Sequence, residues 1–544
     1  MNLKIIIVGG VAGGATAAAK ARRENENAEI TIFERGPYLS FANCGLPYFL
    51  GGEIEDREKL LLMNPEKFWE KYRIKAYVNH EVLAIDRSQK KIKVLTPEKQ
   101  TIEVPYDKLI LAQGASPIIP PFEGVKQDHV FVLRDIPDMD RIHHFLTHQK
   151  LQSAVLVGGG FIGLEMAEAL MHRGIPVTVI EKAPHILPLL DDDIARELSE
   201  DLLKHGLKII TGVGVTQIHQ DHVVLENNEK VPAELVLLSV GVKPEVILAK
   251  EADLEIGLTG GVKANGRMES SDPNIYAVGD AAETIHAITG ARLRIPLAGP
   301  ANRQGRVAGA NAAGGHLNYP GALGTSIVRI LNRTVGSVGL NSRQASQAGY
   351  SFFSSVTRDP SHASYYPGAK PIVIKLLTEE GSGRLLGAQV LGERGVDKRL
   401  DVLSTAIYAK MTAHDLEFLD LAYAPPFSSA NDPVNVAGFV ASHEVRGDIK
   451  LVNPEAVDDS FLIDVRNPDE LEKFGKLRNA INIPLPNLRD RLKEIPRDKK
   501  VVVYCQKGQR GYLAWKILSQ NGFDNVSNLK GGFLQAKYAG LKVF

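Results

Sequence analysis

Cys44 and Cys505 are the only two cysteines in the 544-residue chain, and each stands in its own chemical setting. Cys44 sits in Ser40-Phe41-Ala42-Asn43-Cys44-Gly45-Leu46-Pro47-Tyr48, with no second cysteine at the Cys-x-x-Cys or Cys-x4-Cys spacing of an internal dithiol. If it does redox chemistry, its disulfide partner has to be a thiol brought from outside. The competing reading is a structural thiol, since free cysteine is among the most buried residue types. Cys505 follows the apolar run Val501-Val502-Val503-Tyr504 and opens the loop Cys505-Gln506-Lys507-Gly508-Gln509-Arg510, after which a helix is expected over 511–519. A loop this tight can aim successive backbone amides at one sulfur. With Arg510 and a helix N-terminus beside it, the loop stabilises a thiolate or a persulfide anion. The competing reading here is a structural cysteine closing a buried strand.

Two glycine motifs supply the elements that would position Cys44. Ile5-Ile6-Ile7-Val8 reads as a strand buried on both faces, followed by Gly9-Gly10-Val11-Ala12-Gly13-Gly14 and an Ala-rich helix over 15–23. Bare amides and a helix N-terminus in that order hold a pyrophosphate, which points to Gly9, Val11, Ala12 and Gly14. Val11 stands where the usual second glycine sits. The next strand, 29–33, ends on Glu34, placed to bond a ribose 2′-hydroxyl. The pattern recurs as a strand over 154–157, the full motif Gly158-Gly159-Gly160-Phe161-Ile162-Gly163, a helix over 164–173 and a strand ending on Glu181. Two such units imply two dinucleotides, with Gly158, Gly160, Phe161, Ile162, Gly163 and Glu181 at the second. An acid at Glu181 repels a 2′-phosphate, so NADH is favoured, and Lys182 beside it leaves room for some tolerance of NADPH.

Composition describes an ordinary globular protein of three or four domains, 44% hydrophobic and 24% charged. Lys plus Arg and Asp plus Glu both number 64, so net charge gives no reason to expect nucleic acid or an anionic membrane as partner. The apolar run 5–8 stops at Gly9, too short for a signal core or a membrane span. Two widely separated cysteines form no disulfide framework, and a reducing, cytoplasmic setting is expected.

With Ser271-Asp272-Pro273-Asn274-Ile275-Tyr276-Ala277-Val278-Gly279-Asp280 added to the two glycine motifs, the chain resembles the pyridine nucleotide-disulfide oxidoreductase flavoproteins over about residues 1–440. The resemblance implies an α/β fold with two Rossmann-like domains. These are a discontinuous FAD-binding domain at 1–120 and 241–322 and an NADH-binding domain at 121–240. An α+β dimerisation domain at 323–440 and a homodimer are implied as well. The cofactor contacts extend to Arg35, Asn43, Ala115, Gly241, Gly279, Asp280, Pro296, Leu297 and Ala298, and no metal site is implied.

The peroxide-reducing single-cysteine members carry a histidine in the first glycine loop, which this chain lacks. The Cys44 tract, with Ser364-Tyr365-Tyr366-Pro367-Gly368 and Ala422-Tyr423-Ala424-Pro425-Pro426, is similar instead to the coenzyme A disulfide reductases. That likeness implies Tyr365 and Tyr423 near the thiol, reaching it from the partner subunit. Tyr366 stays open as the alternative to Tyr365. It also implies coenzyme A contacts at Thr16, Lys20, Arg23, Ser40, Asn43 and Asn302. His414 and Glu417, three apart, read as a solvated helix face. After a linker at 441–455, residues 456–544 carry Asp464-Val465-Arg466 and Cys-x-x-Gly-x-Arg and are similar to a rhodanese domain, also α/β. The expected activity is NADH-dependent, FAD-mediated reduction of coenzyme A disulfide, coenzyme A persulfide or polysulfide. Cys44 would form a mixed disulfide with coenzyme A, Cys505 would deliver sulfane sulfur, and sulfide would be a product. An NADH oxidase or peroxidase working through a Cys44 sulfenate, and a sulfurtransferase or redox sensor, remain the alternatives.

Overall fold

The computed structural model describes residues 2–544; Met1, the first residue of the expected 1–120 segment, lies outside the described residues. The described residues form two compact units, 2–186 with Gly206–Gly324, and Leu187–His205 with Thr325–Phe544. Among the described residues no helix is long and apolar enough to cross a membrane.

The first unit is built on two parallel five-stranded sheets. In one, the strands run in the order Ile275–Ala277, Lys108–Leu111, Lys4–Val8, Glu29–Phe33, Lys75–Tyr77. In the other, the order is Lys208–Thr211, Val177–Glu181, Ala154–Val157, Leu235–Leu238, Val130–Phe131. The central strands are continuous apolar runs because helices or loops cover both faces. Ile5 and Ile7 pack in one core with Ile32 and Ile110, while Ile6 and Val8 pack in another with Leu109 and Leu111. Full burial of each such side chain stabilises by roughly 1.5–3 kcal/mol.

Both motif helices start three residues earlier than the sequence pattern suggests, at Ala12 and Phe161. The final glycines therefore lie in the first helical turn, and the free amides of that turn face the loop. Close packing demands them there. A Cβ on Gly14 would sit 1.9 Å from the Gly9 carbonyl oxygen, and one on Gly163 would sit 2.1 Å from that of Gly158.

The second unit joins an antiparallel sheet to a parallel one. The antiparallel sheet runs Ser326–Ile330, Arg333–Gly339, Leu385–Gly392, Pro371–Glu379, Phe352–Pro360, with Val396–Tyr408 and Pro433–Val445 as its long helices. The parallel sheet runs Leu451–Val452, Val526–Leu529, Val501–Tyr504, Phe461–Asp464, Ile481–Asn482. Residues 441–455, expected as a linker, are largely structured. The helix Pro433–Val445 runs through the first of them, and Leu451–Val452 pairs with Asn528 and Leu529 as the edge strand. The stretch is polar in sequence because an edge strand and a helix end need few apolar residues.

A buried ionic cluster ties the C-terminal helix Gly532–Tyr538 to the rest of this unit. The Lys375 ammonium donates to both oxygens of Asp193, at 2.7 and 2.9 Å, and pairs with Asp191 at 2.9 Å. The Gln535 amide donates to Asp193, and Arg358 donates to Gln535 at 3.1 Å and to Glu197 at 2.7 Å.

A second buried pair holds the C-terminal sheet together. Asp464 and Arg466 are both fully buried and bonded at 2.6 Å, with the guanidinium stacked 4.1 Å from the Phe533 ring centroid and donating to Gln506 at 2.8 Å. Removing one partner strands the other charge in the core. Asp464→Ala is therefore expected to destabilise this sheet by about 3–5 kcal/mol. Trp515 fluorescence in a Trp69→Phe background, followed through urea, reads the effect; an unmoved midpoint would mean that the pair contributes nothing.

Candidate active site

The two glycine loops are constructed alike. Gly10 N–H donates to Glu34 Oε2 at 2.8 Å, and Gly36 N–H donates to its Oε1 at 2.8 Å. Gly159 N–H donates to Glu181 Oε2 at 2.7 Å, and Ala183 N–H donates to its Oε1 at 2.7 Å. Each carboxylate is thereby fixed at the end of its strand, at the edge of its loop. A Cβ added at Gly160 would meet nothing within 4 Å, so the second loop opens onto free space where a diphosphate can approach the backbone. Val11 precedes its helix and accepts from Ala15 N–H at 3.0 Å, so valine is tolerated because its carbonyl, not a bare Cα, serves the turn. Phe161 is half-buried and Ile162 is exposed at the mouth of the second loop. The Lys182 ammonium is held by Glu226 at 2.8 Å.

The other residues expected to contact a cofactor lie outside the two glycine loops. Gly279 N–H donates to the buried Gln304 at 2.7 Å and leads into Asp280, whose carboxyl burial pushes up in pKa while Arg294 and Arg134 oppose. Ala115 pairs across to Pro244, and the Gly241 carbonyl accepts from Ile118 N–H at 2.9 Å. Arg35 is near Glu245 at 3.4 Å. Pro296 and Leu297 lead into the helix Ala298–Ala312, whose first residue is exposed. These loops and carboxylates fit a dinucleotide at each sheet, one at Glu34 and Asp280 and the other at Glu181.

Cys44 lies in the turn Asn43–Gly45, immediately ahead of the helix Leu46–Leu50, and is exposed. Its segment is tied to the first glycine loop by Ser40 N–H, which donates to the Gly10 carbonyl at 2.9 Å. Ser40 itself takes φ +43°, a left-handed conformation uncommon for a side-chain-bearing residue and one that surrounding structure has to enforce. Protein packed around the thiol pushes its pKa up, and the Glu165 and Asp280 carboxylates add to that push. Glu165 is in turn pushed up to about 7 by burial, while the Tyr48 hydroxyl beside it, at 3.4 Å, works the other way.

A negative charge at Glu165 disfavours the Cys44 thiolate, so its removal favours ionisation. In Glu165→Gln the Cys44 alkylation rate, followed against pH in a Cys505→Ser background, is expected to rise at a lower pH than in the parent. An unchanged profile would mean that Glu165 has no hold on the thiol.

Of the expected coenzyme A contacts, Thr16 and Asn302 come together: the threonine hydroxyl donates to Asn302 Oδ1 at 2.5 Å. Lys20 lies one turn beyond Thr16 and pairs with Glu24, and Arg23 is exposed beside it. Asn43 is exposed next to Cys44. Thr16, Lys20 and Arg23 thus share one stretch of the helix Ala12–Glu24, with Asn302 beside Thr16.

In the second unit Tyr365 and Tyr423 meet, their hydroxyls 3.2 Å apart, and both are exposed. That hydrogen bond raises the Tyr365 pKa. Tyr366 turns elsewhere, its ring edge-on to His362. His414 is exposed and 3.7 Å from Glu417, which Arg446 holds at 2.8 Å, an ordinary surface arrangement.

Cys505 is buried, and its sulfur accepts from Gly508 N–H at 3.2 Å. The Cys505 carbonyl accepts from Phe533 N–H at 2.8 Å, which anchors the loop from behind. The helix starts at Gln509, so its first turn lies against the loop. Arg510 is gripped by both oxygens of Glu470 at 2.6 Å, and this pair, together with the Cys505 sulfur, pushes the guanidinium pKa up. The result is a permanent cation beside the sulfur, with an amide aimed at it.

Sequence reasoning missed Glu165 and Glu470. The first is one more helix acid in Phe161–His172 and the second one more acid in Pro468–Phe474, and nothing in their spacing marks the sulfurs they serve.

Residues 3–305 match the family model for pyridine nucleotide-disulphide oxidoreductases, 326–433 its dimerisation domain, and 450–538 a rhodanese-like domain. The chain superposes on the crystal structure of reduced Bacillus anthracis CoADR-RHD with a TM-score of 0.97, at 41% identity over 100% of both chains. It also superposes on a NAD-dependent persulfide reductase from A. fulgidus with a TM-score of 0.93, at 38% identity over 98% of this chain and 100% of that one. The NAD(P)H coenzyme A polysulfide/persulfide reductase of Pyrococcus horikoshii is 37% identical over 440 residues, 80% of this chain and 98% of the relative.

Proposed function

This chain belongs to the pyridine nucleotide-disulphide oxidoreductase family, and from that premise we propose that it is a homodimeric, FAD-dependent enzyme that uses NADH to reduce coenzyme A disulfide, coenzyme A persulfide or polysulfide. The observation that carries this reading is a lone exposed thiol, Cys44, tied through Ser40 to the first glycine loop and flanked by Glu165 and Asp280. Such a site suits a substrate that brings its own second sulfur.

Bound FAD supplies the carrier that takes two electrons from NADH and delivers them to sulfur. The protein does the rest. The Cys44 thiolate attacks one sulfur of coenzyme A disulfide; that S–S bond breaks, a Cys44–coenzyme A disulfide forms, and one coenzyme A leaves as thiolate. Tyr365 and Tyr423, brought from the partner subunit, donate hydrogen bonds to the leaving thiolate. Two electrons from the flavin and one proton would cleave the mixed disulfide, giving the second coenzyme A thiol and the Cys44 thiolate. With coenzyme A persulfide, attack at the inner sulfur forms the same mixed disulfide and expels hydrosulfide. Lys20 and Arg23 hold the phosphates of coenzyme A. The Cys505 thiolate attacks the terminal sulfur of polysulfide, breaking its S–S bond to give a Cys505 persulfide and a polysulfide one sulfur shorter; a coenzyme A thiolate then attacks the outer sulfur, giving coenzyme A persulfide and restoring the Cys505 thiolate. The work is assigned to the cytoplasm, where thiols stay reduced.

The test is anaerobic NADH oxidation by the purified flavoprotein with coenzyme A disulfide, coenzyme A persulfide and polysulfide in parallel. Turnover with release of coenzyme A thiol or sulfide is expected. Turnover with oxygen or peroxide alone, and none with the sulfur substrates, would overturn the reading.

A further inference from the structure

The two tyrosines lie 58 positions apart in the chain, on separate exposed loops, yet their hydroxyls are 3.2 Å apart. Exposed loops of this kind do not hold such a register unaided, because ordering them costs conformational entropy that two exposed phenols do not return. The support lies beneath them. Arg399, on the helix Val396–Tyr408, is 2% exposed and donates through one nitrogen, Nη2, to the Ser361 carbonyl at 2.8 Å. The same nitrogen donates to Asp432 Oδ2 at 2.8 Å and lies 3.3 Å from Ser428 Oγ, and Nε donates to Asp432 Oδ1 at 3.2 Å. The Ser428 hydroxyl donates to Asp432 at 2.6 Å, and its carbonyl accepts from Ala363 N–H at 3.1 Å. Ser361 and Ala363 begin the loop that carries Tyr365, and Ser428 lies in the one that carries Tyr423. Asp432 caps the following helix, accepting from Val434 N–H at 3.0 Å, which fixes the far end of the second loop.

We propose that Arg399 is the positioning residue of the Tyr365–Tyr423 pair: its buried guanidinium, locked by Asp432, clasps the base of both tyrosine loops and sets their hydroxyls in contact. A guanidinium is the group for this task, because it is planar, always charged and offers several donors in a fixed fork. Lysine at the same place keeps a charge against Asp432 but cannot hold Ser361 and Ser428 in the same geometry. The functional value of the clasp rests on the tyrosines acting at the sulfur site, as proposed above.

Arg399→Lys and the milder Ser428→Ala are the variants, the second retained in case the first folds poorly. The first readout is the phenol titration by ultraviolet difference absorption, taking the step that is lost in Tyr365→Phe as the Tyr365 signal. In both variants that step is expected at a lower pH than in the parent, since its raised position comes from the bond to Tyr423. An unchanged step in a variant whose circular dichroism is native would overturn the proposal. The second readout is kcat for coenzyme A disulfide in a double-mutant cycle. Arg399→Lys is expected to lower kcat on the order of tenfold in the parent and to have no further effect in Tyr365→Phe/Tyr423→Phe. Equal losses in both backgrounds would overturn it. A shifted titration with kcat untouched in every variant would uphold the clasp and sink the tyrosines' part in the reaction.

Discussion

Cys44→Ser is expected to lower NADH-dependent reduction of coenzyme A disulfide, coenzyme A persulfide and polysulfide together, by roughly 10³-fold or more, with flavin content unchanged. The size follows from the chemistry: serine is a far poorer nucleophile toward sulfur and cannot form the mixed disulfide at all. The sequence has no second cysteine close to Cys44, and Cys505, the only other cysteine in the chain, is buried in its own loop. Mass spectrometry of the parent after partial turnover should find coenzyme A on Cys44 and none on the variant. Polysulfide turnover persisting in Cys44→Ser at the parent rate would remove Cys44 from the path of that substrate.

Cys505→Ser should separate the two halves of the chain's chemistry. Coenzyme A disulfide needs no sulfane sulfur, so its turnover is expected within about twofold of the parent. Polysulfide turnover should fall on the order of 10- to 100-fold at limiting coenzyme A, because the Gly508 amide and the Glu470-held Arg510 then face a hydroxyl that cannot carry a persulfide. Cyanide-dependent thiocyanate formation from thiosulfate, an assay of sulfur transfer alone, should vanish in this variant and persist in Cys44→Ser. Equal loss of both substrates in Cys505→Ser would deny the C-terminal domain a dedicated role in sulfur delivery.

What the sequence determined was everything encoded in a short run of neighbours. The strand–glycine–helix order at 4–24 and 154–172 sets the two dinucleotide loops, because a turn that admits no Cβ and a helix first turn with free amides are local requirements. Glu34 and Glu181 were placed by their position at a strand end and their spacing from the glycine motif, and the structure gives each an equivalent pair of amide partners. Tyr365 and Tyr423 came from motif resemblance, and their meeting at 3.2 Å follows from the fold. The Cys505 loop could be read because six consecutive residues carry the sulfur, the turn and the cation.

Folding alone set whatever depends on groups distant in the chain sharing a buried space. Glu165 acts on Cys44 from 121 positions away, Glu470 grips Arg510 from 40 positions away, and Arg399 joins Ser361 to Ser428 across two loops. Residues 441–455 looked like a linker because an edge strand and a helix end carry too few apolar residues to announce themselves. Charge and hydrogen bonding act through a few ångströms of space rather than along the chain. A pattern of neighbours therefore reveals where the sulfurs and cofactor loops lie, while the groups that tune them become visible only after folding has set their distances.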